Sequence, residues 1–282
     1  MTIKKTAKRS IIAVALILIA AAGAFASGAA DMPAASGTMD VQVIQSGEFT
    51  DLYVSGIEQL AINQGDEASI VISGDTELMK AVDITNDAGY LSIVADSRHA
   101  LDLDVEITVP ELNGMMLCSE TVATLGAWDT EADLSVILDD DSVLNTAAVL
   151  TADSLHLFNK GGLGGTLNID VQKLEVESDA GALVFTGTAV ETSADVDLNA
   201  ELNMNGLAVQ EGYIIAANDG VVTADFPGVS SVSITSFQDA SVSIDMNGAI
   251  QAFAYGDSSI SADGDIAARQ TIAADDASVS VG

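Results

Sequence analysis

The chain reads as an all-β solenoid wound in coils of about 18–20 residues. Three observations predict it: a phrase that recurs at a near-fixed interval, strand-like alternation inside each copy, and an aliphatic composition poor in aromatics. Asp141, Asn159, Asp179, Asn199, Asp219, Asp239, Asp257 and Asp276 mark the recurrence, each step between them spanning about 18–20 residues. After most anchors comes a small residue and then alternating aliphatics, as in Asp239-Ala240-Ser241-Val242-Ser243-Ile244 and Asp276-Ala277-Ser278-Val279-Ser280-Val281. In a repeat of this period each coil covers the apolar face of its neighbour. Aromatics make up 4% of the chain against 49% hydrophobic residues, which suits a narrow tube of stacked aliphatic ladders better than a bulky core. Cys118 is the only cysteine, so burial and backbone pairing must hold the fold without a disulfide framework or a cysteine-based zinc site.

The N-terminus carries an export signal over residues 1–26. Lys4, Lys5, Lys8 and Arg9 form a positive region, Ile11 to Ala22 is apolar, and Ala24-Phe25-Ala26 has the small-x-small form of a cleavage site. The apolar run is short for a bilayer span, so no transmembrane helix is expected after cleavage. Residues 27–39, rich in Ala, Gly and Ser, read as a flexible leader, and residues 40–282 as a single domain. Cleavage removes four of the nine basic residues and none of the 42 acids. Five basic residues against 42 acids leave a net charge of −37. Such a surface excludes nucleic acid and anionic lipid as partners and attracts cations or basic partners.

From Asp40 to Leu112 the pattern is β with regular turns. Phe49 to Ser55 stops at Gly56, Leu60 to Gln64 turns at Gly65-Asp66, and Ser69 to Ser73 ends at Gly74. Leu78, Met79 and Val82 then break the alternation, predicting a short helical segment capped by Asp75. Leu101, Leu103, Val105, Ile107 and Val109 alternate with polar residues until Pro110, the cleanest half-buried strand in the chain.

Phe49-x-x-Leu52-x-Val54-Ser55-Gly56, Ile62-Asn63-Gln64-Gly65, Gly89-Tyr90-Leu91-Ser92-Ile93 and Ile107-Thr108-Val109-Pro110-x-Leu112 occur in an order that resembles the bacterial family called putative auto-transporter adhesin, head GIN domain. The resemblance runs from about Val41 to Gly282. It implies a right-handed parallel β-helix-like solenoid in an exported protein, with residues 40–112 as the family's N-terminal part and 113–282 as repeat coils. It brings no catalytic residues with it. The family turns at Ser-Gly tetrads, whereas acids stand at several corners here, as in Asp139-Asp140-Asp141-Ser142 and Ser178-Asp179-Ala180-Gly181. Asn and Asp tolerate left-handed backbone angles, so the corners survive the exchange.

Beyond Leu112 the coils begin, and stacking at about 4.8 Å makes eight of them a rod of roughly 35–40 Å. The last coil reads as an edge open to end-to-end or lateral self-association. Stacked corners would align Asp179, Asp219, Asp239, Asp257 and Asp276 in a ladder, tolerable if the carboxylates face solvent, bond to turn amides or share Ca²⁺. Neither the Gly-Asp nonapeptide of Ca²⁺-binding β-rolls nor an EF-hand loop is present. Gly161-Gly162-Leu163-Gly164-Gly165 lacks the Lys-Ser/Thr of a phosphate loop and reads as a wide loop. His99 and His156 are the only histidines and stand far apart in the chain. His156 lies between Leu155 and Leu157 and should face solvent, and neither histidine joins a Ser/His/Asp arrangement by spacing. Cys118 reads as a buried small hydrophobe. Trp128 and Tyr255 offer aromatic surface for a sugar.

No catalytic, cofactor-binding or metal-ligating residue is therefore assigned. The reading is a non-enzymatic exported solenoid, adhesin-like or envelope-associated, whose partner is a cell-envelope protein or a glycan, placed in the periplasm, on the outer envelope or in the medium. Two alternatives stand beside it: a polysaccharide-active β-helix enzyme, which needs two carboxylates beside one of the scarce basic residues, and a divalent-cation-binding module.

Overall fold

A computed structural model describes residues 35–97 and 99–282; the expected signal peptide, the leader up to residue 34 and Arg98 lie outside the described residues. The described chain is all-β, a solenoid of stacked coils with one four-residue helix, α1 (Thr76–Met79). Each full coil crosses three walls. Wall A carries the strands β2 (Asp51–Ser55), β8 (Gly114–Cys118), β11 (Asp133–Leu138), the second half of β13 (Leu150–Asn159), the last parts of β14 (Gly164–Ser178) and β15 (Ala182–Val196), then β17 (Leu207–Ala216), β19 (Ser231–Phe237), β21 (Gly248–Tyr255) and β23 (Ile266–Ala274), all parallel. Wall B carries β3 (Ile57–Gln64), β9 (Val122–Leu125), β12 (Val143–Thr146), the first parts of β14 and β15, then β16 (Glu201–Asn205), β18 (Val221–Phe226), β20 (Ser241–Met246), β22 (Ser259–Asp263) and β24 (Ser278–Val281). The third wall is short, with Ala152, Val171, Ala189 and Val209 in register.

The side-chain period of two sends every second residue inward, and the parallel register stacks these residues into ladders. Val222, Val242, Ile260 and Val279 are consecutive rungs of wall B. Leu157, Val176, Ala194, Ile214 and Ile234 are consecutive rungs of wall A. The inward row Leu134, Leu155, Leu174, Thr192, Gly212, Val232, Ile250 and Arg269 marks off the coils, each about 18–21 residues long. At its end, Arg269 takes a position that Val232 and Ile250 fill before it, and donates to the Val281 carbonyl at 3.1 Å. An inward charge of this kind opposes the stacking of another coil.

Counted from the wall A column Val196, Ala216, Ser236, Ala254 and Ala273 to the wall B column Glu201, Val221, Ser241, Ser259 and Ser278, four residues make the corner, as they do at Asp139–Ser142, and six of the eight sequence anchors occupy the third of them. At Asp139–Ser142 and Ala217–Gly220 both central residues have positive φ: 51° and 62° for Asp140 and Asp141, 46° and 69° for Asn218 and Asp219. The first amide after each pair returns to the residue before it (Ser142 N to Asp139 O, Gly220 N to Ala217 O), the form of a type I′ turn. Asn159 and Asp179 depart from the expected alignment. Asn159 ends β13 as a fully buried inward residue beside Leu138 and Ser178, and Asp179 opens a corner shortened to 179–181. The coil from Leu134 to Leu155 is longer than the next one, from Leu155 to Leu174. That unevenness shifts the acidic residues against the aliphatic ladder, which sets the true register. The glycine run here is not a wide loop. Gly161 and Gly162 make the corner, while Gly164 and Gly165 begin β14. A Cβ on Gly165 would lie 1.8 Å from the Leu144 carbonyl oxygen, so only glycine fits.

The N-terminal end is capped by a device that alternation alone did not reveal. After β3 the chain runs through antiparallel β4 (Ser69–Asp75), α1 and β5 (Val82–Asp87), returns as β6 (Tyr90–Ala95) and β7 (Leu101–Val109) on one side of β2 and β3, and only then starts β8 and β9 on the other. β1 (Met39–Ile44) closes the end by pairing antiparallel with β4. Asp75 caps α1 through the Glu77 amide, as the sequence predicts.

Candidate functional site: the outer face of wall A

Side chains that point outward from wall A form rows along the solenoid. In one, Asp133, Ser154, Lys173, Glu191, Glu211 and Ser231 follow rung by rung; in the next, Ser135, His156, Glu175, Ser193, Tyr213, Ser233 and Gln251. Four of these make a square on β13 and β14. His156 Nε2 stands 3.1 Å from Ser154 Oγ, and its Nδ1 is 2.6 Å from Glu175 Oε2, a close contact outside hydrogen-bond geometry. Glu175 also pairs with Lys173, and Ser154 donates its hydroxyl proton to Asp133.

The sequence reading found no such arrangement, because Glu175 lies a full coil beyond His156. The detectable signal was the outward pair Ser154-x-His156 combined with the coil length. The square resembles a nucleophilic triad in composition but is wired in the opposite sense. With its proton committed to Asp133, Ser154 meets His156 as an acceptor, whereas a nucleophile must donate to the imidazole. Ser154 is also only 5% exposed. The square is a clasp between two coils.

Beside it lies a shallow groove of about 370 Å³, bordered by Lys173, Glu191, Ser193, Glu211, Tyr213 and Gln251. Small residues, Ser193 and Ser233, flank Tyr213 in its row, and its ring is left 38% exposed. The groove therefore offers one aromatic platform, two adjacent carboxylates, an amide and several hydroxyls. Lys173 links it to the clasp.

Other sequence candidates fall elsewhere. Trp128 is 1% exposed and fills the tube interior, so it offers nothing to a sugar; alternation around a two-residue strand was too brief to show its direction. Tyr255 stacks on Phe237 with ring centres 5.4 Å apart. Cys118 packs with Tyr53, Met116 and Ile137 in an apolar cluster on the outside of wall A, where burial, reinforced by Asp139, pushes its thiol up to about 12. His156 faces outward as expected, and His99 lies 3.4 Å from Glu120 near the first corner, away from the square. Asp219, Asp239, Asp257 and Asp276 share one corner column, but Asp179 stands apart from it. Burial and then the Asp197 charge raise the pKa of Asp179, with Lys160 opposing. Among the described residues no three His, Cys, Asp or Glu side chains converge as ligands for an ion.

Residues 48–265 match the family model described as putative auto-transporter adhesin, head GIN domain. The chain belongs to this family. The head GIN solenoid is also similar to solved structures of bacterial proteins. A putative adhesin from Parabacteroides distasonis is 17% identical, with a TM-score of 0.67 over 88% of this chain and 98% of that one. A putative adhesin from Parabacteroides merdae is 17% identical, with a TM-score of 0.61 over 90% and 100%. A putative lipid binding protein from Parabacteroides distasonis is 12% identical, with a TM-score of 0.61 over 88% and 98%. At these identities the likeness is one of fold. Comparison with curated proteins finds no match.

Proposed function

We propose that this head GIN solenoid is an exported, non-enzymatic binding module that holds a glycan on the outer face of wall A. The observation that carries the reading is the groove at Tyr213. A sugar presents an apolar ring face and a rim of hydroxyls. An exposed tyrosine ring flanked by serines, with Gln251, Glu191 and Glu211 within the same groove, supplies the complementary apolar and polar surfaces. Membership of an adhesin family supports the same direction, as does the extended rigid wall, which can present equivalent rows to a polymer.

A glycan-array screen of the purified protein, followed by titration of the best oligosaccharide, tests this. Tyr213→Ala should weaken binding about tenfold, the scale of one aromatic contact, with the melting midpoint held. Absence of any glycan ligand, or binding indifferent to Tyr213, would sink the reading.

A polysaccharide-cleaving alternative draws on one observation: Glu191 and Glu211 are neighbouring rungs beside Lys173. Side chains in one row flank a bound polymer from the same side, whereas the glycosidase carboxylates stand on opposite sides of the scissile bond. Release of reducing ends that Glu211→Gln abolishes would favour cleavage over binding.

A further inference from the structure

A second outward surface, on wall B at the capped end, has no partner among the described residues. β1 pairs with β4 through one edge, and among the described residues no strand lies against the other. Its alternation turns Met39, Val41 and Val43 to one side, where they are 73%, 61% and 65% exposed, more than any other large hydrophobic residue described. Sheet edges are ordinarily guarded by lysine, proline, a bulge or a short strand. β1 has six residues in unbroken register with neither lysine nor proline, and its one charged residue, Asp40, accepts from the Val41 amide at 2.8 Å.

The outward rows continue from these valines into a groove of about 380 Å³ on β4, β7, β3 and β9. Val43 is followed across the sheet by Val71 and Glu106, and Val41 by Ser73 and Asp104. The surface thus passes from apolar to acidic over two strand spacings, about 10 Å, the reach of three extended residues. Among the described residues the Asp104 carboxylate makes no side-chain hydrogen bond or ion pair, and that of Glu106 accepts from Asn63 Nδ2 at 3.0 Å.

We propose that this surface docks an extended peptide segment of a partner protein, in which an apolar stretch adjoins a basic one. The apolar part covers Val41, Val43 and Val71, and the Lys or Arg side chains meet Asp104 and Glu106. Charge decides the occupant. A second copy of this chain, itself carrying 42 acids, repels the groove, and its Lys80 is already paired with Glu77. A glycan finds neither an aromatic ring nor a dense hydroxyl set among exposed valines.

Two labelled peptides of equal composition, Val-Val-Val-Gly-Lys-Lys-Lys and the alternating Val-Lys-Val-Lys-Val-Gly-Lys, separate this from general attraction of cations to an acidic protein. Fluorescence anisotropy on the purified protein should favour the block peptide by roughly tenfold, and hydrogen exchange should slow in residues 39–44 and 71–73. Val41→Thr with Val43→Thr, and separately Asp104→Asn with Glu106→Gln, should each weaken the block peptide by a similar factor. Equal affinity for the two peptides, unchanged exchange at β1, or indifference to either pair of substitutions overturns the proposal. So does a dimer in light scattering that already protects these valines without peptide.

Discussion

His156 Nδ1 lies 2.6 Å from Glu175 Oε2 although a whole coil of chain separates the two residues. Their side chains are 20% and 18% exposed, so the contact is sheltered enough to matter and wet enough to be discounted for solvent screening. Glu175 pairs with Lys173 as well, so its loss removes the contacts to the imidazole and to the lysine together. Glu175→Gln should cost about 1 kcal/mol, seen as a fall of roughly 2–4 °C in the melting midpoint. Glu191→Gln, one rung on in the neighbouring row and without an ion-pair partner among the described residues, should stay within about 0.5 kcal/mol. A double cycle of Glu175→Gln with His156→Ala should return a coupling of at least ~0.5 kcal/mol; strict additivity would mean the clasp contributes nothing.

The wall B ladder gives a sharper contrast. Ile260 sits between Val242 and Val279 and is 1% exposed. Ser261 follows it and points outward. Ile260→Ala removes buried methyl groups from a rung whose neighbours above and below cannot close the gap, at about 2–4 kcal/mol. Ser261→Ala should be close to neutral. In a nearest-neighbour stack the damage is local, so hydrogen exchange after Ile260→Ala should accelerate in β20, β22 and β24 and leave β2 and β8 unchanged. Uniform acceleration through the whole chain would count against a quasi-one-dimensional fold.

This ladder is also where the sequence was most legible. Outward serines alternate with Val242, Ile260 and Val279 at a nearly constant step, and a period of two inside such a step leaves one register open. The clean strand at Leu101–Val109 and the Asp75-capped helix were legible for the same reason, since each is decided by neighbours in sequence. Asn159 and Asp179 misled because coils of uneven length let the acidic residues drift against the aliphatic ladder. The cap was hidden more deeply. That β6 takes one side of β2 and β8 the other is a matter of chain path, and alternation reads the same whichever side each takes. Likewise the wall A square and the Tyr213 groove exist only once register is known, because their members come from different coils.

Corner chemistry can be tested one residue at a time. Asp141 has a φ of 62°, a conformation that costs a β-branched residue more than an Asp and costs glycine nothing. Asp141→Gly should therefore be neutral to within about 0.5 kcal/mol, while Asp141→Val should lose roughly 1–2 kcal/mol. Gly165→Ala should be far worse than either, because its new methyl meets a backbone oxygen and no side chain can move aside. Chemical denaturation of the three variants checks the order. Were Gly165→Ala harmless, the close approach of β14 to β12 would be wrong.

The N-terminal arm should be released by acid in a defined window. Asp75 is 6% exposed and accepts from Ser36 Oγ, from the Gly37 amide at 2.6 Å and from the Glu77 amide at 2.9 Å. Hydrogen bonds from Ser36, foremost, then from Glu77 and Gly37 favour the carboxylate over the acid and hold it at about 2, against an ordinary 3.8, although burial pulls the other way. The folded state therefore prefers the ionised form. The sign follows: a depressed carboxylate contributes its full stabilisation above the ordinary value, and that contribution is lost as pH falls from about 4 through about 2. The Gly37 and Glu77 amide resonances should thus move together with an apparent midpoint near 2, and the segment 36–38 should become open to pepsin below it. In Asp75→Asn the neutral amide keeps a carbonyl acceptor but has no charge to titrate, so the arm should be loose at every pH and the transition absent. A midpoint near 3.8 in the native protein would show that the carboxylate does not hold the arm, and the clasp between the arm and α1 would have to be sought in β1 pairing alone.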